Sequence, residues 1–239
     1  MGEKRLRGET STVTYLNIIV EGQTEETFVR DVLAPYWGSR GIYAVARSVE
    51  TGRKNNRIFR GGVTNYEKIR RDIVSWLSQR KDTYCSSMFD LYRLPIDFPG
   101  KENISPSLKT YEKVNYLENA FGEDIGTTRF IPYIQLNEFE TLLFAEIDKL
   151  NVFFLKDHRR EIGRLLTLAN SYESPELINE TEENAPSKQI IREIPSYKHN
   201  KVLIGPIVAK AIGLEVLRQR CAHFNEWMCK IESLTERIC

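Results

Sequence analysis

Segments typical of β-strands and of α-helices alternate along the first 150 residues, and this alternation restricts the fold more than any other feature. Four runs that resemble strands occupy positions 12–20, 42–49, 85–92 and 129–136, and the first is rich in β-branched and aromatic residues. After each run, apolar residues recur at three- and four-residue steps, the spacing of one helical face. The first run is apolar on both faces near its end, as expected of a buried parallel strand. This alternation predicts an α/β fold in which a parallel sheet of about four strands is flanked by helices.

The strand pattern stops near Leu150, and the rest of the chain is charged and has helical spacing. It includes an acidic loop that we expect to be exposed, with Glu173, Glu176, Glu180, Glu182 and Glu183. From Leu214 the apolar spacing fits either one helix or two short ones that pack on the sheet. We therefore predict a flexible N-terminus at 1–11, a core at 12–150 and a mainly helical C-terminal extension at 151–239, packed on the core.

Composition limits what the chain can bind and where it works. The 239 residues carry a formal net charge of +1, which excludes a protein that coats nucleic acid over its whole surface. The four cysteines have neither metal-site nor disulfide spacing, so a reducing compartment fits best. The sequence has no signal-peptide pattern and no run of the roughly 18 apolar residues that a membrane span needs. We therefore expect a soluble cytoplasmic protein whose contacts with nucleic acid are local.

Acidic residues stand where three of the four predicted strands end. Glu21 follows the first strand, Asp90 lies in the third, and Glu138 and Glu140 follow the fourth. Ligands of parallel sheets bind outside the carboxyl ends of the strands, so these carboxylates converge if the strands are neighbours. Such a cluster repels itself unless a cation holds it, and oxygen ligands alone favour Mg²⁺ or Mn²⁺. The alternative is that acids such as Glu26 and Glu140 only stabilise the first turns of helices.

A basic segment follows the second predicted strand. It contains the cations Arg53, Lys54, Arg57 and Arg60, with Phe59 among them and no acid from Thr51 to Tyr66. Cations in a glycine-containing loop can bind phosphates, and an aromatic residue can stack on a base. Because the segment follows a strand on the same predicted edge as the acids, we predict that it binds nucleic acid. The alternative is an ordinary solvated surface.

Several segments resemble known families. Residues 18–25, with the sequence IIVEGQTE, resemble the first motif of Toprim domains, the fold shared by topoisomerases, primases and the overcoming-lysogenization-defect nucleases. The segments FDLYRLPIDFPG, YIQLNEFETLLFA and KVLIGPIVAKAIGLEVLRQRC resemble the Toprim-like family named domain of unknown function 4276. The resemblance extends from about Thr14 to Ile231 and implies a Toprim-like Rossmannoid sheet with a helical C-terminal extension.

The resemblance implies roles for individual residues. It implies catalytic roles for Glu21, Asp90 and Lys201. It implies Mg²⁺ or Mn²⁺ ligands at Glu21, Glu25, Asp90, Glu138 and Glu140. Many Toprim proteins carry an Asp-x-Asp pair after the third strand, whereas Tyr92 occupies the second place here. Asp97 could substitute for that acid, so the number of metal ions stays open. Lys188 is a second candidate for the role of Lys201.

The resemblance also implies a function. Relatives occur as effector subunits beside ABC-type ATPases in bacterial anti-phage defence, and the present sequence has no GxxxxGK[ST] loop. We therefore predict a Mg²⁺-dependent nuclease with a separate ATPase partner, leaving open a homo-oligomer and the choice among DNA, RNA and tRNA. One alternative is a non-catalytic module that binds nucleic acid or the ATPase. Another is a phosphatase or phosphotransferase for a small phosphoester.

Overall fold

A five-stranded parallel sheet forms the centre of the protein. The structure is a computed structural model that describes residues 13–54, 57–60, 65–155, 157–178 and 182–236, with the backbone alone given for 50–54, 57–60, 182 and 236. The described strands are β1 (Thr14–Val20), β2 (Ile42–Ser48), β3 (Glu50–Lys54), β4 (Arg57–Arg60), β5 (Thr83–Asp90), β6 (Phe130–Ile131) and β7 (Ile134–Gln135). The sheet has the order β2-β1-β5-β6, with β7 also paired to β5, while β3 and β4 form a separate antiparallel hairpin.

Parallel pairing aligns the carboxyl ends of the three long strands. Val20, the last residue of β1, pairs with Ser48 of β2 and with Met88 of β5. Residues that follow these strands therefore lie at one edge of the sheet. The predicted α/β fold with a central parallel sheet is confirmed.

The fourth predicted strand, 129–136, is wrong as a single strand. β6 and β7 are two short strands, and Pro132 and Tyr133 lie between them. Proline has no N–H for a strand ladder. At Tyr133 the side chain of Ser87 replaces ladder partners, because its Oγ accepts the Tyr133 N–H and donates to the Tyr133 carbonyl, both at 2.9 Å.

Helices cover both faces of the sheet. Those in the described residues are α1 (Gln23–Phe28), α2 (Ala34–Gly38), α3 (Tyr66–Gln79), α4 (Thr110–Ile125), α5 (Asn151–Phe154), α6 (Arg159–Ala169), α7 (Pro186–Glu193), α8 (Tyr197–Ile212), α9 (Leu214–Arg220) and α10 (Ala222–Glu236). A π-helical turn, Val29–Leu33, joins α1 to α2, and a 3-10 segment, Phe139–Leu150, follows β7. Shorter 3-10 turns are Leu91–Arg93, Lys101–Asn103, Pro175–Leu177 and Glu182–Asn184.

Successive residues of β1 enter two different hydrophobic cores. Ile18 and Val20 lie in a core shared with α1, the Phe139–Leu150 segment and α8 to α10. Ile19 lies in the other core, which contains residues of α3 and α4. Alternate side chains of a strand point to opposite faces, so helices on both sides bury the last three residues of β1.

The C-terminal residues form two helices, α9 and α10, which meet at Cys221. Trp227 of α10 stacks on Tyr133 with 4.3 Å between ring centroids, and its Nε1 donates to Ser86 Oγ at 2.8 Å. The edge of Trp37 packs on the same indole at 5.6 Å. These contacts hold α10 against the sheet. None of the described helices is long and apolar enough to cross a membrane.

The acidic loop differs from the expectation that it is solvent-exposed throughout. Glu173 and Glu183 are exposed, but Glu176 is 0% exposed. Glu176 is buried because its carboxylate accepts N–H groups at the start of α10, from His223 and Phe224, both at 3.0 Å. Glu180 and the side chain of Glu182 lie outside what the structure describes, as does the stretch 1–11 that was predicted to be flexible.

Candidate active site at the carboxyl edge of the sheet

The acids that follow β1 and β5 lie at the same edge of the sheet. Glu21 comes directly after β1, Glu25 lies in the first turn of α1, and Asp90 ends β5. They are buried, with 6%, 7% and 6% of their surface exposed. The pairing of β1 with β5 brings these carboxylates together, because parallel strands end at a common edge.

A fixed turn after β7 carries two more acids to this edge. Asn137 begins the turn with φ of 61°, a left-handed conformation that asparagine adopts more readily than most residues. Its Nδ2 donates to the carbonyls of Glu176 and Ile178 at 3.2 and 3.1 Å. Glu138 and Glu140 follow, and both are buried.

Asp90 lies at the centre of the cluster. Burial raises the pKa of its carboxyl well above the ordinary value, and four acids raise it further: Glu25, Glu21, Glu138 and Glu140. Its Oδ1 accepts the backbone N–H of Phe139 at 3.0 Å. Charges in a low-dielectric interior act strongly on one another, so ionisation of all five carboxylates is costly without a compensating cation.

Two cations lie beside the cluster and are partly exposed. Arg93 Nη1 contacts Glu21 Oε1 at 3.2 Å, and Lys201 Nζ lies 3.8 Å from Glu140 Oε1. Although burial lowers the pKa of Arg93, the charges of Glu21 and Asp90 raise it above its ordinary value. Both cations reduce the negative charge of the cluster and remain accessible from solvent.

The other carboxylates of the cluster accept hydrogen bonds from nearby groups of the protein. Glu25 Oε2 accepts the N–H of Gly22 at 3.0 Å, and burial raises the pKa of Glu25. Glu138 accepts both the N–H and, at 2.9 Å, the Oγ of Ser187 in α7. Glu140 accepts the hydroxyl of Tyr197 in α8 at 3.3 Å.

Close packing of α8 brings Lys201 to the site. A Cβ at Gly205 would lie 2.9 Å from Phe139 Cε1 and 3.3 Å from Thr24 Cγ2, so only glycine permits this approach. Tyr197, Lys201 and Gly205 are four residues apart, so they share one face of the helix. The same face therefore packs on the Phe139–Leu150 segment and presents two partners to Glu140.

The cluster suits a hard divalent cation in its chemistry. Its donors are carboxylate oxygens, which Mg²⁺ and Mn²⁺ prefer, and burial raises the pKa of Glu21, as it does at Asp90. A cation would offset the repulsion among these carboxylates. Among the described residues, no group of three or more Asp, Glu, His or Cys side chains is arranged as a formed metal site. The side chains instead contact Arg93, Ser187 and Tyr197, so metal binding requires some of them to turn.

A family profile matches most of the chain. The profile of the family described as Domain of unknown function (DUF4276) matches residues 20–232. The chain belongs to this family. The predicted family is thereby confirmed, whereas a search of curated proteins gives no match for this DUF4276 chain.

Solved structures of one bacterial protein align with most of the chain. Two structures of the C-terminal region of the Xanthomonas campestris pv. campestris OLD protein, phased with iodine and with mercury, each give a TM-score of 0.46. Their sequence identities to the DUF4276 chain are 15% and 16%. The alignments cover 92% of this chain and 95% and 96% of those chains.

Asp97, Lys188 and Tyr92, which were discussed with the sequence as secondary residues of the site, have different surroundings in the DUF4276 fold. Both carboxylate oxygens of Asp97 accept the N–H of Tyr66, at 3.1 and 3.2 Å, so Asp97 caps the start of α3. Lys188 is an exposed residue of α7 that follows Ser187. Tyr92 stands two residues after Asp90 and lines a cavity. None of these contacts brings Asp97 into the role of a second metal ligand.

The basic segment forms the β3–β4 hairpin rather than an irregular loop. Arg53 and Lys54 lie on β3, and Arg57, Phe59 and Arg60 lie on β4. The side chains of these five residues lie outside what the structure describes, so their part in binding nucleic acid stays a prediction.

Three side chains of the site were not identified from the sequence. Arg93 lies in the segment FDLYRLPIDFPG, where its position three residues after Asp90 was a usable signal. Ser187 and Tyr197 lie about 50 residues after the acids that they contact. Only the packing of α7 and α8 on the Phe139–Leu150 segment brings them there, and no local pattern indicates it.

The stability of the metal-free protein should fall as the pH rises from about 5 to about 7.5. Burial first, and then the charge of Glu138, raise the pKa of Glu140 from 4.5 to about 7. Between these values the folded protein holds a proton that the unfolded chain has released, so acid favours the folded state, by roughly 3 kcal/mol for Glu140. Urea unfolding in EDTA at several pH values measures this dependence.

Glu140→Gln is the matched variant for this pH dependence, because it keeps an acceptor for Tyr197 and cannot titrate. Its stability should change less with pH than that of the wild type. His223, whose pKa is raised by Glu118 although burial opposes the rise, is common to both proteins and cancels in the comparison. If the free energy of unfolding of the two proteins changed equally with pH, ionisation of Glu140 would not destabilise the folded state.

Proposed function

We propose that this protein is a Mg²⁺- or Mn²⁺-dependent nuclease of the Toprim type. The observation that carries the proposal is the position of Asp90, which ends β5 buried among four other acids. A protein gains no stability from burying such repulsion, so the cluster is best explained by a cation that binds there during function. The usual work of an oxygen-ligated Mg²⁺ is phosphoryl chemistry, as the sequence also predicts.

Each side chain has a distinct part in this proposal. Glu21 and Asp90 hold the metal, with Glu25, Glu138 and Glu140 as further ligands. When bound, Mg²⁺ neutralises phosphate charge and activates a water molecule. Lys201 and Arg93 supply fixed positive charge to the phosphate as negative charge builds up in the transition state. Phe139 keeps Asp90 oriented through its backbone N–H.

A cavity is lined by residues that follow members of the site in the sequence. It has a volume of about 340 Å³ and is lined by Gly22, which follows Glu21, and by Val202, which follows Lys201. Ser48 at the end of β2 also lines it, so the cavity opens at the carboxyl edge of the sheet. We propose that it takes a phosphodiester and that the β3–β4 hairpin, which begins two residues after β2, binds neighbouring phosphates.

The biological setting is proposed from the family resemblance. We propose a cytoplasmic effector subunit of bacterial anti-phage defence that works with an ABC-type ATPase on a separate chain. The sequence contains no GxxxxGK[ST] loop of its own, which fits such a division of labour. The choice among DNA, RNA and tRNA follows from neither the acids nor the hairpin.

A non-catalytic module that binds nucleic acid or the ATPase is the second candidate. The observation in its favour is that the acids already have protein partners, including Ser187 for Glu138 and Tyr197 for Glu140. Tyr92 also stands where many Toprim proteins have a second aspartate. In this case the metal is dispensable, and binding does not depend on Asp90.

Incubation of the protein with labelled DNA and RNA in Mg²⁺, Mn²⁺ or EDTA tests the proposal. We expect cleavage with either metal and none in EDTA. A metal at about 100 times its Kd stabilises the folded state by about 2.7 kcal/mol, so thermal unfolding should shift upward by several degrees. Binding of nucleic acid without cleavage, and with no effect of metal on unfolding, would favour the non-catalytic module.

A further inference from the structure

A second cavity lies beside the residues that directly follow Asp90. It has a volume of about 250 Å³ and is lined by Leu91 and Tyr92, which directly follow β5, and by Asn137, which begins the turn after β7. The N–H of Tyr92 donates to the carbonyl of Asn137 at 3.4 Å, so the two segments are joined at this point. The cavity therefore borders the same sheet edge as the acid cluster.

The size and lining of this cavity fit a flat ring. Cavities for drug-sized ligands measure roughly 300–1,000 Å³, so 250 Å³ suits a smaller group. Apolar surface comes from Leu91, Ile104 and Pro106, and Tyr92 is the aromatic residue among the lining. The polar residues of the lining are Ser105, Thr110, Lys113 and Asn137. A lining of this kind matches a nucleobase, which has apolar faces and a polar edge.

Positive charge at the rim fits a polyanion. Lys113 lines the cavity and is exposed, whereas the acids of the cluster belong to the neighbouring site. Burial first, and then the charge of Lys113, lower the pKa of Lys101, while the charge of Asp97 raises it. In a nucleic-acid strand with one base in the cavity, the neighbouring phosphate would be attracted to Lys113.

The spacing from Asp90 fits one nucleotide. Tyr92 is two residues after Asp90, so their Cα atoms are within about 7 Å of each other. A phosphate at the acids could thus be followed by a base in the cavity. Paired bases inside a duplex could not enter it, because their faces and edges are already covered.

We propose that this cavity binds one unstacked nucleobase of a single-stranded nucleic acid, with Tyr92 as its stacking residue. The inference rests on the proposed nuclease function, which it extends to a substrate class: single-stranded DNA or RNA with a base next to the phosphate at the acids. In this chain the residue two positions after Asp90, where many Toprim proteins have a second aspartate, contacts substrate instead.

Binding of labelled strands to the full-length protein in Ca²⁺ tests the inference. The probes are a mixed-sequence DNA strand, the RNA of the same sequence, a DNA strand of equal length with abasic positions throughout, and the fully paired duplex. We expect wild type to bind the base-bearing single strands about ten-fold more tightly than the abasic strand, the effect of one base–aromatic stack. The duplex should bind like the abasic strand.

Variants at Tyr92 separate stacking from folding. Tyr92→Phe should keep the preference for bases, whereas Tyr92→Leu, which retains apolar bulk, and Tyr92→Ala should both lose it. Tyr43 is exposed on β2 near the opposite edge of the sheet, so Tyr43→Leu is the matched control and should bind like wild type. Thermal unfolding of each variant confirms that the fold is retained.

The results distinguish failure of this inference from failure of the proposed function. If Tyr92→Leu and wild type show the same preference for bases, or if wild type has no preference, the inference is wrong, even when Mg²⁺-dependent cleavage is observed. If wild type prefers bases through Tyr92 but never cleaves, the inference holds and the nuclease proposal fails. If wild type binds none of the strands, both are wrong.

Discussion

Asp90→Asn should abolish cleavage by this protein and leave its fold intact. The variant loses a central carboxylate of the cluster, and we expect a rate at least about 10³-fold lower, which corresponds to about 4 kcal/mol of transition-state stabilisation. Asparagine keeps the Oδ1 acceptor for the N–H of Phe139, which lies 3.0 Å away in the wild type. Single-turnover cleavage of a labelled strand with Mg²⁺ measures the rate.

Stability measurements on Asp90→Asn separate a metal site from a structural role. Burial and four neighbouring acids raise the pKa of Asp90, so its ionised form destabilises the fold, and the uncharged variant should unfold in EDTA at the same temperature or a higher one. The rise in unfolding temperature that Mg²⁺ gives the wild type should be lost. Asp97→Asn is the control, because Asp97 caps α3, and it should cleave like wild type.

Two outcomes would contradict the assignment of this cluster. Cleavage by Asp90→Asn at the wild-type rate would show that the reaction occurs elsewhere. Loss of cleavage together with unfolding in EDTA would show that Asp90 supports the fold instead of a metal. If Asp97→Asn were the inactive variant, the second acid of the Toprim pattern would be Asp97 after all.

The sequence predicted the central strands because their signal is local. β1 is rich in β-branched and aromatic residues and is followed by Glu21, and β5 contains two aromatic residues and ends at Asp90, so each strand and its functional end could be predicted from the sequence. Parallel order then followed from the alternation with helices. The convergence of Glu21 and Asp90 required only that these two strands be neighbours, which the pairing of Val20 with Met88 shows.

The break between β6 and β7 depends on a contact that is distant in sequence. Residues 129–136 have the composition of one strand, and Pro132 alone would allow an edge strand. The Oγ of Ser87 decides the outcome, because it bonds both backbone groups of Tyr133, 46 residues away. A tertiary hydrogen bond of this kind leaves no periodic signal in either segment.

The burial of Glu176 also depends on contacts that are distant in sequence. Its neighbours in the sequence are acidic and polar, and local composition therefore predicts an exposed loop. The donors that make its burial favourable, Tyr111 and the first N–H groups of α10, come from distant parts of the chain. Local composition cannot reveal such partners, so a buried carboxylate in an acidic loop is missed by the same reasoning that identifies solvated loops correctly.

Glu176→Ala should cause the largest loss of stability among the substitutions considered. In the wild type Oε1 accepts the N–H of Phe224 at 3.0 Å, and Oε2 accepts the N–H of His223 and the hydroxyl of Tyr111, both at 3.0 Å. Alanine leaves these buried donors without their acceptor and removes the cap of α10, which should cost about 3–5 kcal/mol. Thermal unfolding should shift downward by roughly 10 °C.

Glu173→Ala is the matched control, because this glutamate is exposed in the same loop, and its unfolding should change by less than about 0.5 kcal/mol. The loss in Glu176→Ala should already be present in EDTA, since Glu176 contacts the start of α10. Cleavage should fall as well, because the carbonyl of Glu176 accepts the side chain of Asn137 and so holds the turn that carries Glu138. If Glu176→Ala unfolded at the wild-type temperature, water would be shown to accept the first N–H groups of α10. A destabilised variant with full activity would show instead that the turn keeps its position without the loop.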